Sequence, residues 1–166
     1  MSWKDILVIV SEAEADESAL ALAEALAKQC AQCHLSAAFL TSLPDEPLAY
    51  EPTVVAGVWA ELLGRARQEA DAERKRVEAR LARADRPVEL RNAEALSRDL
   101  GRVAAVHARY ADVAVMARPG AASRRPEVDA MAAALRSHRR LAFIDQPGTL
   151  DGGDVLRVGR ALYVGE

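Results

Sequence analysis

The chain has 166 residues, enough for one domain with a sizeable core. Hydrophobic residues make up 51% of it and charged residues 28%, a balance typical of globular proteins. The formal net charge of -3 lacks the basic excess of nucleic-acid-binding proteins, and no apolar run has the length of a membrane span or a signal-peptide core. We therefore expect a cytoplasmic protein with neither a nucleic-acid nor a membrane partner.

Predicted strands and helices alternate through the first half of the chain. Residues 5–10 form a continuous apolar run with β-branched members, typical of a strand covered on both faces. Ser11 and Glu14 have the spacing of a capping box, which predicts a helix from there to about Cys30. The elements predicted next are a strand, a proline-containing loop and a long amphipathic helix, at residues 34–41, 42–53 and 54–84.

The alternation continues in the second half and predicts the fold class. The predicted elements there are a strand, a helix, a strand, a helix and a strand, at residues 88–91, 96–110, 111–117, 127–137 and 141–144. Residues 154–164 have the pattern of a β-hairpin. We predict an α/β fold: a three-layer, doubly wound, Rossmann-like five-stranded parallel sheet with a C-terminal hairpin. Residues 1–146 would form the α/β domain and residues 147–166 the tail.

Two cysteines and one histidine are the first candidates for chemistry. Cys30 and Cys33 have the C-x-x-C-H spacing of haem attachment, which would also suit a dithiol pair or half a zinc site. Cys30 continues the apolar face of the first predicted helix, so a small core residue is the favoured interpretation. His107 lies on the apolar stripe of the third predicted helix, which favours a partly buried, hydrogen-bonded histidine over a catalytic base. We expect no metal site and no cofactor.

The order and lengths of the elements over residues 3–119 resemble the universal stress protein family. The resemblance is carried by the short hydrophobic strand at 5–10, the long charged second helix and residues 107–116. ATP-binding members carry an aspartate at the end of the first strand and a glycine-rich loop after the fourth. Glycines in such a loop let backbone N–H groups approach phosphates.

The residues at those two places differ from the ATP-binding pattern. The first strand ends with Val10 and Ser11, and after Gly120 the next glycine is Gly148. The resemblance therefore implies a member without the ATP site. Arg118 and Arg125 remain candidates for binding some other anion.

The last third resembles the dimethylarginine dimethylaminohydrolase family. The matching strings are RPGAASRRPEV at 118–128 and PGTLDGGDVL at 147–156, extended by RVGRALYVG at 157–165. By this resemblance Arg124 would hold a substrate carboxylate and Asp151 would contact a guanidinium. The nucleophilic cysteine and the histidine of that family lie far downstream of this segment, and here only Glu166 follows it. We therefore expect no catalytic residues and no amidinohydrolase activity.

The sequence thus favours a non-enzymatic binding or regulatory protein of the stress-protein type. The alternatives are a hydrolase-related fragment that binds guanidino compounds and a small redox or metal protein using Cys30 and Cys33. Because an isolated two-stranded hairpin is marginally stable, we expect its apolar residues to be covered by their own sheet or by a second subunit. Exchange between identical chains is a low-cost way to do this, so we predict a homodimer.

Overall fold

A computed structural model describes residues 3–30, 32–46, 52–117, 141–144, 155–158 and 161–164; for residues 52–56 and the last three ranges it describes the backbone alone. The strands are β1 (Asp5–Val10), β2 (His34–Leu43), β3 (Glu89–Leu96), β4 (Val113–Ala117), β5 (Leu141–Ile144), β6 (Val155–Val158) and β7 (Ala161–Val164). The helices are α1 (Glu17–Lys28), α2 (Pro52–Leu81) and α3 (Leu100–Ala108), the last preceded by a 3-10 turn at Ser97–Asp99.

Four parallel strands form the part of the sheet that carries the described side chains, in the order β3-β2-β1-β4. β1 lies between β2 and β4, with Asp5 opposite His34 on one side and Ile6 opposite Val113 on the other. Beyond β4 the order continues with β5, β7 and β6; β5 and β7 are parallel, and β6 runs antiparallel to β7. The predicted α/β class is confirmed.

Helices cover both faces of this sheet. On one face the β1 side chains Ile6, Val8 and Val10 pack with residues of α1 and with Val77 and Leu81 of α2. On the opposite face the alternate β1 side chains pack against α3, in a cluster that includes Leu7, Ile9, Leu100, Ala104 and Ala108. The continuous apolar run of β1 is therefore explained by burial on two sides, as the sequence predicted. Helix, sheet and helix make three layers, and the fold is Rossmann-like.

Only the C-terminal half of α2 is buried against the sheet. The helix has 30 residues, and its described side chains reach full burial only near its end, at Val77 and Leu81. Nearer its start, Val58 and Leu62 are exposed at 57% and 46%. The long charged face seen in the sequence is therefore a solvated helix surface, and α2 begins two residues earlier than predicted, at Pro52.

Several predicted boundaries differ by a few residues, and two of them are wrong by about a helical turn or more. The capping box at Ser11 and Glu14 does not begin α1, which starts at Glu17 with Asp16 as its cap residue. Leu96 does not begin a helix; it ends β3, which has eight residues and not the four predicted. The predicted helix at 127–137 and the predicted domain boundary at residue 146 lie outside the described residues.

Candidate functional site

The carboxyl end of β1 is held by a buried aspartate. One carboxylate oxygen of Asp16 accepts hydrogen bonds from the backbone N–H groups of Ser11 at 2.7 Å and Glu12 at 3.0 Å. The Ser11 hydroxyl donates to the same oxygen at 3.2 Å. Asp16 is only 4% exposed. In doubly wound sheets, backbone amides at this edge are the donors that bind anionic ligands, and here two of them are bound to a carboxylate of the chain itself.

A cleft of about 480 Å³ opens beside this loop, between the carboxyl ends of β1 and β2 and the middle of α2. We call it the carboxyl-end cleft. Its polar lining residues include Ser11, Glu12, Thr41, Glu69, Glu73 and Arg76. Phe39 and Leu40 supply apolar lining. The volume suits a small ligand, and the position is where such folds usually bind one.

The charged side chains among the described lining of the carboxyl-end cleft are mainly acidic. Glu12, Glu69 and Glu73 bring three carboxylates, whereas Arg76 brings one guanidinium, which is ion-paired with Glu73. Glu73 also accepts a hydrogen bond from the backbone N–H of Ala13 at 3.3 Å, joining α2 to the loop after β1. Three carboxylates against one guanidinium give the described lining a net negative formal charge.

None of the site residues predicted from the sequence lies in this cleft as the structure describes it. Arg118, Arg124, Arg125 and Asp151 all fall outside the described residues. The sequence analysis missed Asp16, Glu73 and Arg76. Aspartate directly before a helical pattern is typical of a cap, so Asp16 could have been recognised as one. The capping-box pattern at Ser11 instead predicted an earlier start of the helix.

A second cluster of reactive side chains lies at the opposite, amino-terminal edge of the sheet, between α1 and β2. The Cys30 thiol donates to the backbone carbonyl oxygen of Trp3 at 2.9 Å. The Cys33 thiol lies 3.4 Å from the Cys30 carbonyl oxygen and 3.5 Å from that of Ala27. The prediction that Cys30 continues the buried face of the helix is wrong: α1 ends at Lys28, and Cys30 is partly buried beyond it.

Arg86 completes this cluster. We call Cys30 and Cys33 the thiol pair. One guanidinium nitrogen of Arg86 lies 3.2 Å from the Cys33 sulfur and donates to the Ala27 carbonyl oxygen at 2.9 Å. It also lies 3.4 Å from the carbonyl oxygens of Cys30 and Cys33. Burial, and next the Cys30 thiol, raise the pKa of Cys33, while Arg86 opposes the rise. No sequence pattern links Arg86 to cysteines more than 50 residues earlier.

His107 is partly buried on α3, as its place on the apolar stripe predicted. Burial lowers the pKa of His107, and the positive charge of Arg91 lowers it further. Both effects favour the neutral form of the imidazole.

The described residues contain neither a candidate metal cluster nor a membrane-spanning helix. They contain no group of three or more histidine, cysteine, aspartate or glutamate side chains placed to hold a metal ion. Among their helices, none is both long and apolar enough to cross a membrane.

Comparison with solved structures identifies the fold. The universal stress protein UspA from Lactobacillus plantarum superposes with a TM-score of 0.60, at 20% sequence identity, over 87% of this chain and 99% of that one. The chain has the fold of the universal stress proteins. A universal stress protein in complex with cAMP covers the same shares at 15% identity and a TM-score of 0.45. No family model matches the sequence.

Comparison with curated proteins finds the second resemblance. The N(G),N(G)-dimethylarginine dimethylaminohydrolase of Streptomyces coelicolor is 46% identical over 57 residues, which are 34% of this chain and 22% of the relative. This chain therefore spans less than a quarter of the length of that relative. Both resemblances seen in the sequence are confirmed: one extends across the fold and the other is confined to a third of the chain.

Proposed function

We propose that this protein is a non-enzymatic binding or regulatory domain of the universal stress protein type that does not use ATP. The observation that carries the proposal is the Asp16 carboxylate, which accepts hydrogen bonds from the two backbone amides that follow β1. An incoming phosphate would have to displace this buried carboxylate and leave its charge without those donors, which is costly.

The carboxyl-end cleft supports the same proposal by its charge. A triphosphate carries several negative charges, and it would enter a space lined by Glu12, Glu69 and Glu73. Among the described lining residues Arg76 brings one guanidinium, which already pairs with Glu73. The ligand that such a lining favours is small and neutral or cationic, with a part that can contact Phe39 and Leu40.

The proposal is tested by calorimetric titration of the protein with ATP, with and without magnesium, and with adenosine. We expect no heat of binding for ATP. The matched variants are Asp16→Asn, which removes the charge but keeps an acceptor, and Glu14→Gln, which removes an exposed charge two residues earlier. Micromolar ATP binding by the native protein, lost on changing residues 117–125, would refute the proposal by revealing a phosphate site after β4.

A second candidate function is the binding of a guanidino compound. It is favoured by the 46% identity over 57 residues to the Streptomyces coelicolor dimethylaminohydrolase. By this resemblance Arg124 would hold a carboxylate of the compound and Asp151 its guanidinium. Titration with dimethylarginine tests it, with Arg124→Ala and Asp151→Ala as the variants that should abolish binding.

We further propose that this binding is not followed by hydrolysis. Purified protein incubated with dimethylarginine should release no citrulline. Release of citrulline that disappears in Cys30→Ser or Cys33→Ser would show an unexpected nucleophile and make the protein an enzyme.

The proposed functional unit is a homodimer built on a five-stranded parallel sheet with a C-terminal hairpin. Support comes from β7, which pairs with β5, and from β6, which pairs with β7 and is the last strand in the described order of the sheet. An edge strand offers unpaired backbone groups to a second copy. Truncation after Gln146 should shift the mass in light scattering towards monomer or aggregate, whereas an unchanged mass and melting temperature would make the hairpin dispensable.

A further inference from the structure

The thiol pair lies where the chain turns from α1 into β2. Cys30 and Cys33 are three residues apart, and the Cys33 sulfur is 3.4 Å from the Cys30 carbonyl oxygen. The Cys33 side chain is thus folded back over the residue that carries the other thiol. The Cys30 thiol is also near enough to raise the pKa of Cys33 through a hydrogen bond. Both cysteines are partly exposed, so small molecules can reach them.

We propose that Cys30 and Cys33 form an oxidation site at which a hydroperoxide converts the two thiols reversibly into an intramolecular disulfide. This site is independent of the carboxyl-end cleft, because it lies at the opposite edge of the sheet. A zinc ion would need further ligands, and the described residues offer no third histidine, cysteine or carboxylate there.

The contacts of the two sulfurs indicate that Cys33 reacts first. The Arg86 guanidinium lies 3.2 Å from the Cys33 sulfur and partly offsets the burial that disfavours a thiolate there, whereas the Cys30 thiol is held by its hydrogen bond to the Trp3 carbonyl oxygen. The Cys33 thiolate attacks the outer oxygen of the hydroperoxide, the O–O bond breaks, and a sulfenic acid and an alcohol form. The Cys30 sulfur then attacks the Cys33 sulfur, losing its proton, and water leaves. In total two thiols lose two protons and two electrons, which reduce one hydroperoxide to one alcohol and one water.

The surroundings of the pair make this reaction slow. The Ala27 and Cys30 carbonyl oxygens lie within 3.5 Å of the Cys33 sulfur, at the negative end of the α1 dipole. Fast dithiol enzymes instead lower the pKa of the attacking thiol at a helix N-terminus, and here burial raises the pKa of Cys33. The site is therefore suited to a slow switch and unsuited to rapid turnover.

Oxidation changes the start of β1 as well as the sulfurs. A disulfide has no S–H group, so the hydrogen bond from Cys30 to the Trp3 carbonyl oxygen is lost. Trp3 packs against the core cluster on the α1 face, and the next residue, Lys4, accepts a backbone hydrogen bond from His34 at 2.7 Å. The redox state of the pair is thereby linked to the environment of the Trp3 indole.

The first experiment measures disulfide formation in the full chain treated with hydrogen peroxide. We expect an intact mass lower by two hydrogens and two thiols that no longer react with an alkylating agent. The protein should remain a monomeric band on a non-reducing gel, and dithiothreitol should restore both thiols fully. Cys30→Ser should stop at the sulfenic acid of Cys33, trapped by dimedone. Arg86→Gln should slow the reaction several-fold, whereas Arg83→Gln, at an exposed arginine three residues earlier, should not.

The second experiment follows Trp3 by fluorescence in a Trp59→Phe variant, which leaves Trp3 as the one tryptophan of the chain. We expect the emission to shift on oxidation and to return on reduction, and we expect no shift in Cys30→Ser. Two alkylatable thiols after treatment, disulfides formed only between chains, or stoichiometric zinc binding that protects the reduced pair would each overturn the proposal.

Discussion

The two ends of β1 are held in the same way by two different aspartates. At the carboxyl end Asp16 accepts backbone N–H groups of Ser11 and Glu12 at 2.7 Å and 3.0 Å. At the amino end Asp112 accepts those of Lys4 and Asp5 at 2.7 Å and 3.2 Å. Each carboxylate therefore accepts two backbone N–H groups at one end of the strand.

The difference between the two ends is in burial and in chain separation. Asp16 is 4% exposed and lies five residues from Ser11, whereas Asp112 is partly exposed and lies 108 residues from Lys4. The contact at the carboxyl end is local and buried. The contact at the amino end is tertiary and joins the start of β4 to the start of β1. A buried acceptor costs more to remove than a hydrated one. We therefore expect loss of the aspartate at the carboxyl end to lower the free energy of unfolding more than loss of the aspartate at the amino end.

The largest effect is expected for Asp16→Ala. The substitution removes three hydrogen bonds to one carboxylate and leaves two backbone amides without this acceptor. We expect the free energy of unfolding to fall by about 3 kcal/mol, measured by urea denaturation. Glu14→Ala, at an exposed glutamate in the same loop, should change it by less than about 0.5 kcal/mol. Equal effects of the two substitutions would contradict the role given to Asp16.

A smaller effect is expected for Asp112→Ala. Its amides at Lys4 and Asp5 are less deeply buried, and water can replace part of what the carboxylate provides. We expect a loss of about 1–2 kcal/mol in the same urea experiment, with part of it recovered in Asp112→Asn, which keeps one acceptor oxygen. A loss larger than that of Asp16→Ala would reverse the order of the two ends.

The next effect is kinetic and concerns Cys33, near the amino end of β1. Because its pKa is raised, mainly by burial, a smaller fraction of Cys33 is thiolate at neutral pH than of an ordinary cysteine. Alkylation by iodoacetamide in Cys30→Ser should therefore be slower than that of a cysteine in a short peptide, and its rate should keep rising at pH values where the peptide rate has levelled. Mass spectrometry of quenched samples measures both rates. Matching pH profiles would show that Cys33 is not shielded.

The smallest effect is expected for Lys28→Gln, which removes an ion pair with Asp85 at 2.8 Å near the same edge. The pair raises the pKa of Lys28 and lowers that of Asp85, yet both side chains are largely exposed, at 63% and 74%. Exposed pairs contribute little because water and salt screen them. The urea midpoint should not change measurably; a clear decrease would mean that this pair, and not Asp112, secures the amino-terminal edge.

The sequence predicted the elements whose patterns are local. Three elements were recognisable: the apolar run of β1, the amphipathic α1 and the second strand. In each of them the spacing of apolar residues within a short stretch of sequence indicates which side chains are buried. β3 was predicted too short because Asn92 and Glu94 make its second half polar, and it pairs with β2 alone in the described sheet. An edge strand with polar positions has no pattern that distinguishes it from a loop.

The candidate sites were less predictable than the fold. The two cysteines were identified from their spacing, but the place of Cys30 beyond the end of α1 and its bond to Trp3 were not. Arg86 could not be linked to them, because its contact with Cys33 spans 53 residues. Ser11 was predicted to cap a helix, whereas its backbone N–H and hydroxyl donate to Asp16.

By itself the sequence determined the α/β class, the lack of any glycine between Gly120 and Gly148 and the two family resemblances, since these depend on residue type and order. Only the tertiary structure decided that Asp16 accepts the backbone N–H groups after β1, that three of the charged side chains lining the cleft beside it are glutamates, and that an arginine from beyond α2 lies against the Cys33 sulfur. The physical reason is that hydrogen bonds and charges act over a few ångströms in space, and no periodicity in the chain records which distant residues will come within that range.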